Sequence, residues 1–218
     1  QWGYDFRPSY LELPKLREQL PEVPILALTA TATSEVGADI KRVLHFRPGY
    51  DFYQKRFLRP NISYSIRRSD DKPAMMRFIL SRVEGAAIIY CRNRQLCQTV
   101  SEALLAEGIS ATYYHAGLTY TEREMRQGRW MRGEVRVMVA TNAFGMGIDK
   151  PDVRLVIHLT MPSSLEEYYQ EAGRAGRDGE HSYAVAIVGS QDSRMLHRRL
   201  QDTFPEKAYL LEVNRPHW

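Results

Sequence analysis

From Asn61 onward, short apolar runs alternate with segments whose apolar residues recur every three or four positions. The runs lie at 62–66, 86–91, 111–114, 135–140, 155–159 and 182–188 and read as strands. Ala86-Ala87-Ile88-Ile89-Tyr90-Cys91 is continuously apolar, as suits a strand covered on both faces. Between the runs lie helical stripes. Met75, Met76, Ile79, Leu80 and Val83 form one, started near Asp71 and Pro73. Leu96, Val100, Ala103 and Leu104 form the next. Thr119 and Glu122 have capping-box spacing and open a third helix that reaches about Met131. A last helix spans about 191–203. Strands and helices alternating at this spacing specify an α/β domain with a mostly parallel sheet flanked by helices, joined by right-handed crossovers.

In such a sheet, ligands collect beyond the carboxyl ends of the strands. Arg92-Asn93-Arg94 follows the second run and His115-Ala116-Gly117 the third. The fourth leads into Thr141-Asn142-Ala143-Phe144-Gly145-Met146-Gly147-Ile148-Asp149-Lys150-Pro151. Gly145 and Gly147 permit close backbone approach, and Thr141 offers a hydroxyl and nearby amides to a phosphate.

The stretch 163–179 is the most distinctive. Ser163 and Glu166 have capping-box spacing and place a helix start just after Pro162. Leu165, Tyr168, Tyr169 and Ala172 give that helix an apolar face, with Glu167, Gln170, Glu171 and Arg174 on the others. It ends in Gly173-Arg174-Ala175-Gly176-Arg177-Asp178-Gly179, a glycine-rich turn from which two guanidinium groups project. Planar donor forks of this kind match phosphate oxygens. With the polar loops they point to a phosphate-bearing ligand gathered on one sheet edge.

Residues 1–60 have a different character. Gln1-Trp2-Gly3-Tyr4-Asp5-Phe6-Arg7-Pro8-Ser9-Tyr10 carries four aromatic residues. By spacing alone such rings close a core in preference to stacking on bases. Leu11, Leu13, Leu16 and Leu20 suggest a short helix, 24–29 a short buried strand, and Val36, Ile40, Val43 and Leu44 a second helix. Thr29, Thr31 and Thr33 can serve either as hydrogen-bonding groups for a loop or phosphate or as turn and cap residues. One strand and two helices cannot close a sheet, so 1–46 reads as the end of a domain, 47–60 as a linker, 61–203 as a second domain and 204–218 as a tail.

The net charge of +4 is compatible with a nucleic-acid partner without establishing one. Two cysteines supply neither a disulfide framework nor a Cys-rich zinc module and suit a reducing compartment. No apolar run has the length of a membrane span, and no signal peptide or repeat is visible. No metal ligands are expected.

Taken together, these motifs resemble the RecQ-type helicases of superfamily two. The opening residues resemble that family's aromatic-rich loop. Leu28-Thr29-Ala30-Thr31-Ala32-Thr33 resembles motif III, and Ile88-Ile89-Tyr90-Cys91 with Arg94 resembles motif IV. Val139 to Arg154 resembles motif V, and Tyr168 to Gly179 motif VI. The resemblance implies a RecA-like fold. It also implies a motor of two such lobes that binds ATP and Mg2+ between them and unwinds DNA in the three-prime to five-prime direction. By position, Arg177 is then the arginine finger, with Arg174 and Gln170 beside the nucleotide, and Gly147 and Asp149 near the cleft. Asn93, Arg94, His115 and Thr141 would face DNA. Trp2, Phe6 and Arg7 would sense it, which reverses the preference for a core role at the aromatic loop. The expected partners are single-stranded DNA and duplex junctions. The expected location is the cytoplasm, with its nucleoid, or the nucleus in a eukaryote, the cytoplasm being preferred.

Nothing in the chain matches the Gly-x-x-x-x-Gly-Lys-Ser/Thr loop, and there is no Asp-Glu dipeptide for an acidic box. The expectation is therefore a fragment, inactive by itself, that holds the end of the first lobe and the whole of the second. Two alternatives are a non-catalytic nucleic-acid- or partner-binding module and an RNA helicase lobe.

Overall fold

The computed structural model describes residues 12–29, 34–54, 59–145 and 148–203. The chain divides into two compact units, Gln1–Leu58 and Arg59–Trp218.

The first unit contains helices α1 (Leu13–Gln19) and α2 (Ser34–Val43). The strand expected at 24–29 does not form. These residues are irregular, and Leu26 and Leu28 are 81% and 83% exposed. A strand needs a neighbour to satisfy its backbone groups, and the described residues of this unit supply none.

The second unit is a six-stranded sheet in the order β1-β6-β5-β2-β4-β3, parallel throughout. Its strands are β1 (Ile62–Arg68), β2 (Ala86–Tyr90), β3 (Ala111–Tyr114), β4 (Val137–Ala140), β5 (Val153–His158) and β6 (Ser182–Val188). Its helices are α3 (Lys72–Arg82), α4 (Arg94–Ala106), α5 (Tyr120–Met131), α6 (Leu165–Ala172) and α7 (Asp192–Thr203). Helix starts follow local chemistry. The Asp71 carboxylate accepts from Ala74 N at 2.9 Å, with Pro73 in the first turn, and the Asn93 side chain accepts from Leu96 N at 2.8 Å. Thr119 and Glu122 form the reciprocal capping box of α5.

The core has two layers, one on each side of the sheet. Ile89, Val139 and Ile157 point to one side and pack with Met76 and Leu80 of α3 and Cys97 and Leu104 of α4. Ile88, Met138 and Val156 point to the other, against Trp130 of α5, Phe144 and Ala172 of α6. Central strands buried on both faces explain the continuous apolar runs of the sequence. The sheet turns about β2: β4 lies on one side of it and β5 on the other. The segments leaving β2, β4 and β5 therefore converge beyond their carboxyl ends.

Candidate functional site

Two polar clusters stand on this scaffold, at different places. The first lies at the carboxyl ends of the strands. Arg92, Asn93 and Arg94 leave β2 into the first turn of α4, and all three are exposed. The Arg94 guanidinium lies over Gly117, where an added Cβ would come within 2.7 Å of it. Arg94 thus bridges the loops that follow β2 and β3. His115 is buried beside them, its ring stacked on Tyr113 at 5.6 Å and its Nδ1 without a partner. Burial pushes its imidazole below the usual histidine value, helped by the Arg94 and Arg126 cations and opposed by Glu122. Arg126 itself lies over the Tyr113 ring at 3.9 Å and donates to the Thr112 hydroxyl at 3.2 Å. Thr141 is also buried, and its hydroxyl accepts from Ala143 N at 3.4 Å. The sequence-expected residues Asn93, Arg94, His115 and Thr141 therefore lie on the loops that leave β2, β3 and β4.

The second cluster is the 173–179 loop. The sequence reading gathers the two arginines with the polar loops on one edge, and the structure corrects this. α6 leaves the carboxyl end of β5 and runs back along the sheet, and its eight residues carry the chain roughly 12 Å. The loop is fastened at the opposite edge. Gly176 N donates to Val153 O, at the start of β5, at 2.8 Å, and Asp178 N donates to Pro151 O at 3.3 Å. The Asn61 amide, just before β1, donates to Gly176 O at 2.7 Å and to Glu180 O at 3.0 Å. Gly176 has φ +56°, and a Cβ there would strike Asn61, Glu180 and Ser182 within 2.7 Å.

Arg177 Nη1 donates to Ile148 O at 3.0 Å and to the Asp149 carboxylate at 2.8 Å. Arg174 Nη1 donates to Gly145 O at 2.6 Å, while its buried Nε has no partner. Gly145 has φ +155°, and any Cβ there would collide with the Arg174 guanidinium. The close approach expected at this glycine is thus made by a side chain of its own chain, the Arg174 guanidinium. Gln170 lies on the exposed side of α6, four residues before Arg174, which stands beyond the end of the helix. Trp2, Phe6, Arg7 and Gly147 lie outside the described residues.

α6 departs from expectation in a second respect. Its N-cap is Ser164, whose hydroxyl accepts from Glu167 N, one residue later than the Ser163–Glu166 box. Its inward face carries Glu167, Glu171 and Ala172, whereas Leu165 and Tyr169 are exposed. Glu167 accepts from Ser163 N at 2.6 Å and from the Asn142 amide at 3.1 Å. Glu171 meets His158 at 2.9 Å. His158 in turn stacks on Tyr90, and the Tyr90 hydroxyl donates to Phe144 O at 3.1 Å. Burial raises the Glu171 carboxyl above the usual range against the pull of His158, and it raises the Tyr90 phenol against the nearby Arg174 cation. Glu167 thus ties Asn142 to Ser163 near the first cluster, and one helical turn further on Glu171 and His158 form a separate buried contact beside Tyr90, which feels Arg174. A polar His158 directly after the apolar Leu155-Val156-Ile157 is the sequence signal that would have found the Glu171 contact.

The sequence and fold both have known counterparts. The family described as helicase conserved C-terminal domain matches residues 71–179, half of the chain. ATP-dependent DNA helicase RecQ of Pasteurella multocida is 43% identical over 92% of this chain and 32% of its own length. ATP-dependent helicase SGS1 of Saccharomyces cerevisiae is 41% identical over 92% of this chain and 14% of its own. The chain thus spans a third or less of the length of these curated relatives. The fold is similar to that of S. cerevisiae Dbp5 bound to RNA and ADP BeF3, with TM-score 0.68 and 21% identity, covering 88% of this chain and 52% of that one. The parallel sheet covered by helices on both faces is the RecA-like α/β architecture, and the chain belongs to the helicase conserved C-terminal domain family, matching its RecQ-type helicases over nine-tenths of its length.

Proposed function

We propose that residues 59–203 form one lobe of an ATP-driven DNA helicase. In this reading the lobe presents Arg177 and Arg174 to the phosphates of Mg2+-bound ATP. It presents the loops after β2, β3 and β4 to the phosphates of single-stranded DNA, and the motor unwinds duplex ahead of it in the three-prime to five-prime direction. The observation that supports it most is the setting of Arg177. Its guanidinium is anchored on the Ile148 carbonyl, and its acidic partner Asp149 has an 81% exposed side chain. An exposed pair of this kind has little net strength, so a phosphate can take the place of the carboxylate while the anchor holds.

The residues fit a nucleotide phosphate. The Arg177 side chain is 35% exposed and keeps donors beyond the two bonds it makes. ATP with Mg2+ supplies the phosphoryl group whose transfer drives the motor. This chain supplies cationic donors that stabilise negative charge, a contribution of roughly a thousandfold or more in rate. The phosphate-cradling lysine loop and the acidic box have to come from other sequence, because this chain contains neither. The DNA preference rests on the relatives, since phosphate contacts do not read the sugar.

The test is ATP turnover stimulated by single-stranded DNA, measured on this chain and on the full-length protein. The chain alone should be silent. In the full-length protein Arg177→Ala should lower kcat roughly a thousandfold. Turnover by the chain alone that survives Arg177→Ala would overturn the proposal.

A further inference from the structure

The loop that carries both arginines buries Ala175 in the core and donates Gly176 N to Val153 O, while its carbonyls at Gly173, Ala175 and Gly176 accept from outside the loop. Arg59 meets them. Its Nη1 donates to Gly173 O at 3.1 Å, and its Nη2 donates to Gly176 O at 2.6 Å and to Ala175 O at 3.4 Å. One half-buried guanidinium therefore collects three carbonyls spanning Arg174 and reaching the residue before Arg177. Gly173 is the C-cap of α6, where unpaired carbonyls and the helix dipole both favour a cation. Asn61 shares the same Gly176 carbonyl. Because Arg59 is the first residue of the second unit, the chain enters this lobe through the side chain that grips the arginine loop.

We infer that Arg59, seconded by Asn61, is a positioning residue for the arginine loop: it fixes where Arg174 and Arg177 stand without touching the nucleotide. The inference rests on the reading of those two arginines as nucleotide-facing. It requires a fork. Two separated donor groups span three carbonyls, whereas a lysine ammonium is a single point and cannot. The sequence reading places Arg59 in a basic, proline-containing linker, and no spacing rule connects it to residues more than a hundred positions away. Displacement of a catalytic cation by about 1 Å costs roughly a hundredfold in rate while leaving substrate contacts made elsewhere intact. The inference therefore separates kcat from KM.

The experiment compares Arg59→Ala, Arg59→Lys, Asn61→Ala and Arg177→Ala in the full-length protein. It reads kcat and KM for ATP, affinity for single-stranded DNA, and the thermal midpoint. Amide exchange at Gly176 and Arg177 is followed in this chain. Arg59→Ala should lower kcat roughly tenfold to a hundredfold. KM and DNA affinity should stay within about twofold, and exchange at Gly176 should quicken. Arg59→Lys should recover only part of kcat, and Asn61→Ala should move kcat in the same direction by less. Should Arg59→Ala fail to fold, the Lys and Asn61 variants carry the same kcat-against-KM reading. Wild-type kcat in the Arg59 variants beside an inactive Arg177→Ala overturns the clamp and leaves the proposed function standing. A rise in KM at unchanged kcat also overturns it. An active Arg177→Ala overturns the proposed function and the clamp with it.

Discussion

His115 is a single residue whose environment makes a pH statement. Burial and the Arg94 and Arg126 cations hold its imidazole below the ordinary value of about 6.5, so the folded protein binds this proton less readily than the unfolded chain. Its contribution to stability is present above the unfolded value and is lost as pH falls through the depressed one. Proton NMR of the His115 ring should show a midpoint below 6.5, and Arg94→Ala should move it upward. A DNA phosphate beside Arg94 offsets the two cations, so adding single-stranded oligonucleotide should also raise the midpoint. A midpoint indifferent to DNA would remove His115 from the proposed DNA face. Arg174 and Gly145 show the same dependence on neighbours: the glycine matters because of a guanidinium 29 positions away in sequence.

At the scale of elements, the sequence was most legible where a helix start or a strand is decided by its own residues. The Asp71 cap, the Thr119–Glu122 capping box and β3 lie where the local pattern places them. It was least legible where tertiary packing overrides the pattern. The apolar stripe of α6 promised Leu165 and Tyr169 to the core, but the position of His158 on β5 draws Glu171 inward, and Asn142 and Ser163 draw Glu167. Residues 24–29 look like a strand, and strand formation needs a partner that local sequence cannot report. Of the candidate site, the loops after β2, β3 and β4 were legible because parallel topology dictates them. The reversal that carries Arg174 and Arg177 to the other edge was not, because it depends on the direction of α6 along the sheet. The buried Glu171–His158 contact can be weighed directly. Glu171→Ala leaves a ring nitrogen unpaired in the core and should lower the free energy of unfolding in urea by about 2 kcal/mol. Glu171→Gln keeps a hydrogen bond and should cost less than about 1 kcal/mol. Because the Glu171 carboxyl is raised, its protonation favours the folded state. That stabilisation is full below the ordinary carboxylate value and is lost as pH rises through the raised one. The gap between wild type and Glu171→Gln should therefore change across that window and be flat outside it.

At the scale of the molecule, the sheet unit carries the two proposed phosphate sites at opposite ends of its strands. Among the described residues, both core layers are built from residues between Ile62 and Ile187. Gln1–Leu58 forms the first unit. Among its described residues Leu20, Val23, Leu26, Leu28 and Val36 are about half exposed or more, the surface of a segment that does not close a core by itself. Stability should thus reside in the second unit. A shortened protein of residues 59–203 keeps the whole sheet, the Arg59 and Asn61 clamp and the loops after β2, β3 and β4. It should unfold in urea as one cooperative transition with the midpoint of the full 218-residue chain, and it should be the less prone to associate. It should also retain the salt-dependent binding of single-stranded DNA assigned to those loops. Each lost phosphate contact lowers the slope of log affinity against log salt by about 0.7. Arg94→Ala should therefore flatten that slope by about one contact while leaving the urea midpoint unchanged. A shortened protein that melts earlier than the whole chain would show that the first unit contributes to the core after all. One that folds yet binds DNA with no dependence on Arg94 would move the DNA contact off the loops after β2 and β3, and with it the arrangement of two phosphate sites at opposite ends of one sheet.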